Sequence, residues 1–309
     1  MWGQLTGYSP EVLCASDLDN QVCELLTETL LVAAAEWGNY GPTEYWVMGI
    51  DEEAAIDLIG ANCDRRAAAG QQSRSYCMTH NTADSEHNMI SYQALGAEAV
   101  AVGRPSGSAG RNGQRDWNIH FFATSIPYAF AGMFDLPYAD EQKTVFHEYF
   151  HAVQHAHIQT RDFDERRSMM GPTWFVEGGA EFMAQTASQR MRDSGALRAS
   201  DWNPLTERMT WPMEEVKEWM SSNPGASASQ IPYGPDQGIA YSYGLWAHAW
   251  LADRFGPDAL LGSYYPRLSD LGFEGAFQNA YDMSTTEFLA EFDQFLLLPI
   301  QEQLEILPG

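Results

Sequence analysis

The sequence predicts an α+β chain: an N-terminal half that is a mixed α/β sheet structure, followed by a mainly helical half. Three observations lead there. Helical and strand-like apolar spacings alternate up to about residue 130, whereas beyond Asp140 only helical spacing recurs. The 309 residues are 45% hydrophobic and 13% aromatic, enough to bury a sizeable core. A histidine-rich stretch, "TVFHEYFHAVQHAH" at 144–157, sits where the pattern changes. The division expected is an N-terminal α/β subdomain over 1–139 and a helical subdomain over 140–309, with a cleft at their junction.

Residues 21–37, "QVCELLTETLLVAAAEW", have helical spacing, and "TEYWVMGI" at 43–50 has the aromatic and β-branched content of a strand. "DEEAAIDLIGANC" at 51–63 returns to helix, 64–90 reads as polar and turn-rich, and "EAVAVGR" at 98–104 reads as a short strand. "GRPSGSAGRNGQRD" at 103–116 lacks the GK[ST] ending of a phosphate loop, so it is expected to be a loop or hairpin tip. "WNIHFFATSIPYAF" at 117–130 is the most strand-like segment. With Asp140 as N-cap, helices are then expected over 141–158, 174–190, 212–221, 239–255 and 285–298, the last opened by a capping box of Ser284 and Glu287.

Charge and cysteines narrow the setting. The net charge is −25, from 42 acidic residues against 15 Arg plus Lys143 and Lys217, a field that repels nucleic acid and anionic lipid. No apolar run reaches the roughly 18 residues of a membrane span, and the first residues lack the basic and apolar regions of a signal peptide. The four cysteines fall as two local pairs, Cys14 with Cys23 and Cys63 with Cys77, and two short-loop disulfides are the economical choice among three connectivities. A structural zinc site of Cys63, Cys77, His80 and His87 is the alternative for the second pair. Secretion or a periplasmic location follows from the disulfides, with a leader absent from this chain, in preference to the cytoplasm.

The chemistry is concentrated in the histidine-rich stretch. On a helix His147 and His151 project from one face about one turn apart, so two imidazoles converge on one ion. Glu148 lies about 100° round the axis, poorly placed as a third ligand but within reach of a water at the metal. HExxH on a helix is therefore a zinc site with its general base supplied, though the motif is short enough to need a second element.

That element is "PTWFVEGGAEF" at 172–182. Together the two segments resemble the gluzincin branch of zinc metallopeptidases, in which a Glu from a downstream helix completes the site. Trp174, Glu177, Gly178, Ala180 and Glu181 match its W-x-x-E-G-x-A-E pattern. The resemblance implies Zn²⁺ on His147, His151 and Glu177, a zinc-metallopeptidase-like fold, and a peptide or protein substrate. A crossing helix giving a carboxylate opposite two histidines leaves a fourth tetrahedral position open. Gly178 and Gly179 are expected to let that helix approach the histidine helix, and Glu181 to accept the other ring N–H of a ligand histidine. "YSYG" at 241–244 keeps the Tyr and Gly of the Tyr-x-Lys-Gly element of aminopeptidase-type members, which implies Tyr241 or Tyr243 at the oxyanion, while their Gly-x-Met-Glu-Asn element is absent. An aromatic core stripe is the alternative for both tyrosines.

A rival reading takes "HEYFHAVQHAH" as the metzincin pattern, with His157 as third ligand and "SMMG" at 168–171 as the methionine turn. It requires a helix break where Gln154 stands, and Gln among Ala and Val favours continued helix. A binding module with a structural or idle zinc site, and hydrolysis of something other than a peptide bond, are the other function classes. Oligomeric state is not encoded in any pattern found.

Overall fold

The computed structural model describes residues 3–83, 85, 88–103, 109–112, 117–125, 141–197 and 203–308. The fold is α+β and mainly helical, with its sheet in the N-terminal half. Contacts gather the chain into two units, Leu5–Ala152 with Ser194–Asp201, and Trp2–Gln4 with Val153–Asp193 and Trp202–Gly309.

The first unit is built on a sheet of order β1-β2-β4-β3, from β1 (Glu11–Cys14), β2 (Thr43–Met48), β3 (Ala109–Asn112) and β4 (His120–Ser125). β1, β2 and β4 run parallel, and β3 pairs antiparallel to β4. Every residue of β2 is buried, as expected of a central parallel strand covered on both faces. Alternation sends Trp46, Met48, Phe121 and Ala123 into one core with α2 (Glu52–Ala68), α3 (Arg74–Asn81) and α4 (Met89–Val102). α1 (Asn20–Trp37) buries Leu26, Leu30, Ala33 and Trp37.

Local chemistry explains the element ends. Asp51 caps α2 by accepting from Ala54 N at 2.8 Å, with Glu52 and Glu53 in the first turn and Arg65 and Arg66 in the last, matching the helix dipole. The buried Glu44 of β2 accepts from Arg66 at 2.5 Å, Arg65 at 3.3 Å and Trp46 Nε1 at 3.1 Å, so its charge is paired on three sides.

Both cysteine pairs form disulfides, Cys14–Cys23 joining β1 to α1 and Cys63–Cys77 joining α2 to α3. The second uses both sulfurs that a Cys–His zinc site needs; His87 lies outside the described residues.

Two expectations are corrected here. Within the stretch expected as a strand, 98–104, residues 98–102 are the end of helix α4, closed by Gly103 at φ 66°, and Arg104 lies outside the described residues. Its apolar residues include two alanines, Ala99 and Ala101, and Ala favours helix once the longer apolar segment from Met89 is counted with it. The polar region 64–90 holds the last turn of α2 and all of α3, which Ser73 caps through Tyr76 N. Within 103–116, residues 109–112 form a strand; 104–108 and 113–116, like Asp140 and residues 126–130, lie outside the described residues.

The expected helices follow as α5 (Glu141–Ala156), α7 (Thr173–Asp193), α8 (Leu205–Ser222), α9 (Gln237–Phe255) and α11 (Thr285–Leu296). α8 starts seven residues before Pro212 and runs through it. α6 (Phe163–Met170) and α10 (Tyr265–Tyr281) were not anticipated. The capping box of Ser284 and Glu287 is complete. The second unit begins in the last turn of α5, at Val153.

Its core is aromatic. Trp174 and Phe175 of α7 meet Tyr243 and His248 of α9, Phe277 of α10 and Phe288 of α11, with ring centroids 4.7–6.3 Å apart. The approach of α7 to α9 is set by glycine. A Cβ on Gly178 would overlap the backbone of Gly244, and one on Gly244 would overlap the carbonyl of Trp174. Close packing at Gly178 and Gly179 is thus against α9, where His248 faces Gly179, and this corrects the expectation that these glycines serve the histidine helix. Gly178→Ala should therefore destabilise the fold by about 1–3 kcal/mol, since backbone cannot yield as a side chain can. Gly238→Ala, near the start of α9 with open space around it, should be neutral or stabilising by up to about 1 kcal/mol. Equal denaturant midpoints for the two variants would refute the backbone contact.

Candidate metal centre

Helix α5 is oriented by its apolar side. Trp37 packs on Phe150 at 5.0 Å and Phe146 at 5.5 Å, both edge-on, and stacks on Tyr149 at 6.5 Å, whose hydroxyl donates to Gly38 O at 2.9 Å. With those rings fixed, the one-turn spacing sets His147 and His151 side by side. Their Nε2 atoms are 3.2 Å apart and their rings are perpendicular. His147 is 6% exposed, and Glu148 between them is also buried.

Glu177 comes from the start of α7. Phe175 N and Val176 N both bond Pro172 O, so Pro172 opens the helix, while Trp174 and Phe175 lock its first turn into the aromatic core. Gln154, in the last turn of α5, is buried and donates its side-chain amide to Val176 O at 2.8 Å. Helix continues through Gln154 to Ala156, as the sequence requires for a ligand outside the stretch. Glu177 is only 7% exposed, and its Oε1 accepts from the Tyr233 hydroxyl at 2.7 Å. A buried carboxylate left without donors or a cation is costly, so such a partner is expected.

One ligand atom each from His147, His151 and Glu177 all lie within 4.8 Å of one another, the one group of this kind among the described residues. The set fits zinc. Two nitrogens bound at about 2.05 Å with tetrahedral angles would sit about 3.3 Å apart. The histidine pair is at 3.2 Å before any ion is considered. Two imidazoles and one carboxylate are also the donor set of an open catalytic zinc site.

The remaining candidates lie on α7, on α9 and just beyond α5. Glu181, one turn beyond Glu177 and partly exposed, accepts from Gln185 Nε2 at 2.8 Å. Tyr241 is half-buried on α9. Tyr243 is fully buried, edge-on to Trp174 and Phe292, and its hydroxyl has no hydrogen-bond partner among the described residues; burial raises its pKa further above the ordinary phenol value. Those contacts are those of a core aromatic. His157 lies just beyond α5, stacked on Tyr265 at 5.6 Å, and is not part of the ligand group. Ser168–Met170, the supposed methionine turn, is the last turn of α6. His155 pairs with the Arg166 guanidinium at 2.8 Å.

Tyr233 was missed by sequence reasoning. It lies 56 residues after Glu177, at no motif spacing, and its only local signal is the turn-forming "IPYGP" in which it stands.

No family model, curated protein or solved structure matches this chain.

His147→Ala, His151→Ala and Glu177→Ala should each strongly lower zinc bound per chain, while His157→Ala should leave it near wild type. Zinc lost in His157→Ala but kept in Glu177→Ala would restore the rival ligand set.

A second expectation concerns pH. Burial lowers the pKa of both His157 and His248 from 6.5 to about 4, and His248 Nδ1 donates to Gly244 O, leaving Nε2 as a buried acceptor with no partner among the described residues. As pH falls, the unfolded chain takes up these protons first, so their contribution to stability is full above about 6.5 and is lost progressively down to about 4. Metal-free protein should lose on the order of 2 kcal/mol per histidine between pH 7.5 and pH 5, read from denaturant midpoints. In His157→Gln the loss should shrink by about half, whereas an unchanged slope would show that His157 does not contribute.

Proposed function

We propose that this chain is a zinc-dependent peptidase that cleaves peptide or protein substrates with Glu148 as general base. The observation that carries this is the convergence of His147, His151 and Glu177 ligand atoms, on two helices, with a buried carboxylate at the neighbouring position 148. Zinc held by these three residues supplies Lewis-acid chemistry, polarising a carbonyl and making water easier to deprotonate. Glu148 takes the proton of the attacking water and passes it to the departing nitrogen as the carbon–nitrogen bond breaks, ending as the carboxylate it began as. Tyr241, on α9, is the hydroxyl that the sequence pattern offers to the developing oxyanion.

A gluzincin-like arrangement belongs to the same reading, supported by the order of elements: HExxH on α5, then the Glu-bearing helix α7, in the helical half. So does an oxidising compartment, supported by the two disulfides. Among the described residues no helix is long and apolar enough to cross a membrane. The charge of −25 disfavours nucleic acid as a partner.

Glu148→Gln keeps the side chain's volume and much of its hydrogen bonding but cannot accept the proton. The variant should fold, bind one zinc per chain and lose at least about a hundredfold in turnover of a generic protein substrate. Turnover equal to wild type would refute the mechanism. One zinc per chain with no hydrolysis of any peptide library by the wild type would instead favour a binding module.

A further inference from the structure

Tyr233 stands apart from every pattern that named the site, yet its hydroxyl donates to one of the candidate ligands. The residue is 53% exposed, while its hydroxyl reaches the buried Glu177 carboxylate at 2.7 Å. The segment presenting it is stiff. Pro232 and Pro235 flank it, Gly234 adopts φ 149°, which favours glycine, and Gly234 N donates to Gln237 Oε1 at 3.2 Å at the entry to α9. Gln237 N also donates to Gly234 O, closing the turn from both sides. The hydroxyl is therefore delivered by a preformed turn rather than by a mobile side chain searching for a partner.

A glutamate carboxylate has two equivalent oxygens and several rotatable bonds. Left alone it samples many orientations, and it can grip a cation with one oxygen or with two. A phenol donating to one oxygen removes both freedoms, because a hydrogen bond to a charged acceptor is strong and directional. Groups that orient metal ligands in this way change metal affinity without touching the ion.

We propose that Tyr233 is a positioning residue of the metal centre: its hydroxyl holds one oxygen of Glu177, so that the carboxylate offers a single oxygen to a cation shared with His147 and His151. This rests on the reading of those three residues as a metal site. Tyr233 thereby tunes the affinity and coordination geometry of the site from the solvent-facing turn at the start of α9.

The test compares wild type with Tyr233→Phe, which removes one oxygen from a half-exposed residue and is checked for a cooperative thermal transition in the metal-free state. Zinc affinity is measured by competition with a chromogenic chelator, and coordination geometry by the visible absorption of the cobalt-loaded proteins. The phenylalanine variant should bind zinc about 10–100-fold more weakly. Its cobalt spectrum should shift in band position or intensity, which loss of a merely structural contact would not cause. In a Glu177→Ala background the same substitution should have no further effect on zinc affinity, since the group it acts through is gone. Unchanged zinc affinity and an unchanged cobalt spectrum in Tyr233→Phe, with wild type holding one zinc, would overturn the role of Tyr233 and leave the metal site standing. A further loss of affinity on adding Tyr233→Phe to Glu177→Ala would overturn action through Glu177. Failure of the wild type to bind zinc or cobalt at all would overturn both the site and this role.

Discussion

The structure depends on one helix remaining helical through sixteen residues. Glu141–Ala156 carries an aromatic ridge, Phe146, Tyr149 and Phe150, on one side and the histidine pair on the other. The ridge fixes the rotation of the helix about its axis, because three rings on Trp37 leave no alternative register that buries them equally well. Continuity does the rest. A break at Gln154 would swing the last turn away, but that side chain is committed to the carbonyl of Val176. A buried amide donor that lost this acceptor would be left unpaired, so the bond opposes bending at the point where a metzincin-like chain must turn.

Next to it, α7 is held by a different force. Its glycines admit the backbone of α9 to within contact of its own, and the aromatic residues just before them fill the space above. Backbone-to-backbone packing gives short, rigid spacing that larger residues cannot imitate, at the cost of two glycines inside helices. Glu177 sits between these two devices, one residue after Val176 and one before Gly178. Its position is therefore specified from both directions along the helix. A glutamate side chain has little stiffness of its own, so its placement depends on such support from the backbone.

The first unit shows another balance. Glu44 is buried in the central parallel strand, where a lone carboxylate would be unstable, and two arginines from the end of α2 and an indole N–H satisfy it. Arg66 in turn lies over the Trp117 ring at 5.1 Å. The two disulfides add short covalent loops in the same unit. The buried Glu44 is thus neutralised by Arg66, which is buried with it, and by Arg65.

What the sequence determined by itself is what is set by neighbours within a turn or two. The helical spacing around His147 and His151, the capping box at Ser284 and the closure of two cysteine pairs over nine and fourteen residues are local, and each was legible. Local reading failed where a short apolar run fits two periods, as at 98–104, because only the residues before it and the packing around it choose between helix and strand. The tertiary structure alone decided which helix Gly178 and Gly179 admit, that Tyr243 stands among core rings, and that Tyr233 reaches Glu177 from 56 residues away. These are meetings between segments whose distance along the chain carries no periodic signal. A motif names residues that must meet at a centre, but the residues that hold them there are chosen by whatever surface the fold brings past, and nothing in their own spacing marks them.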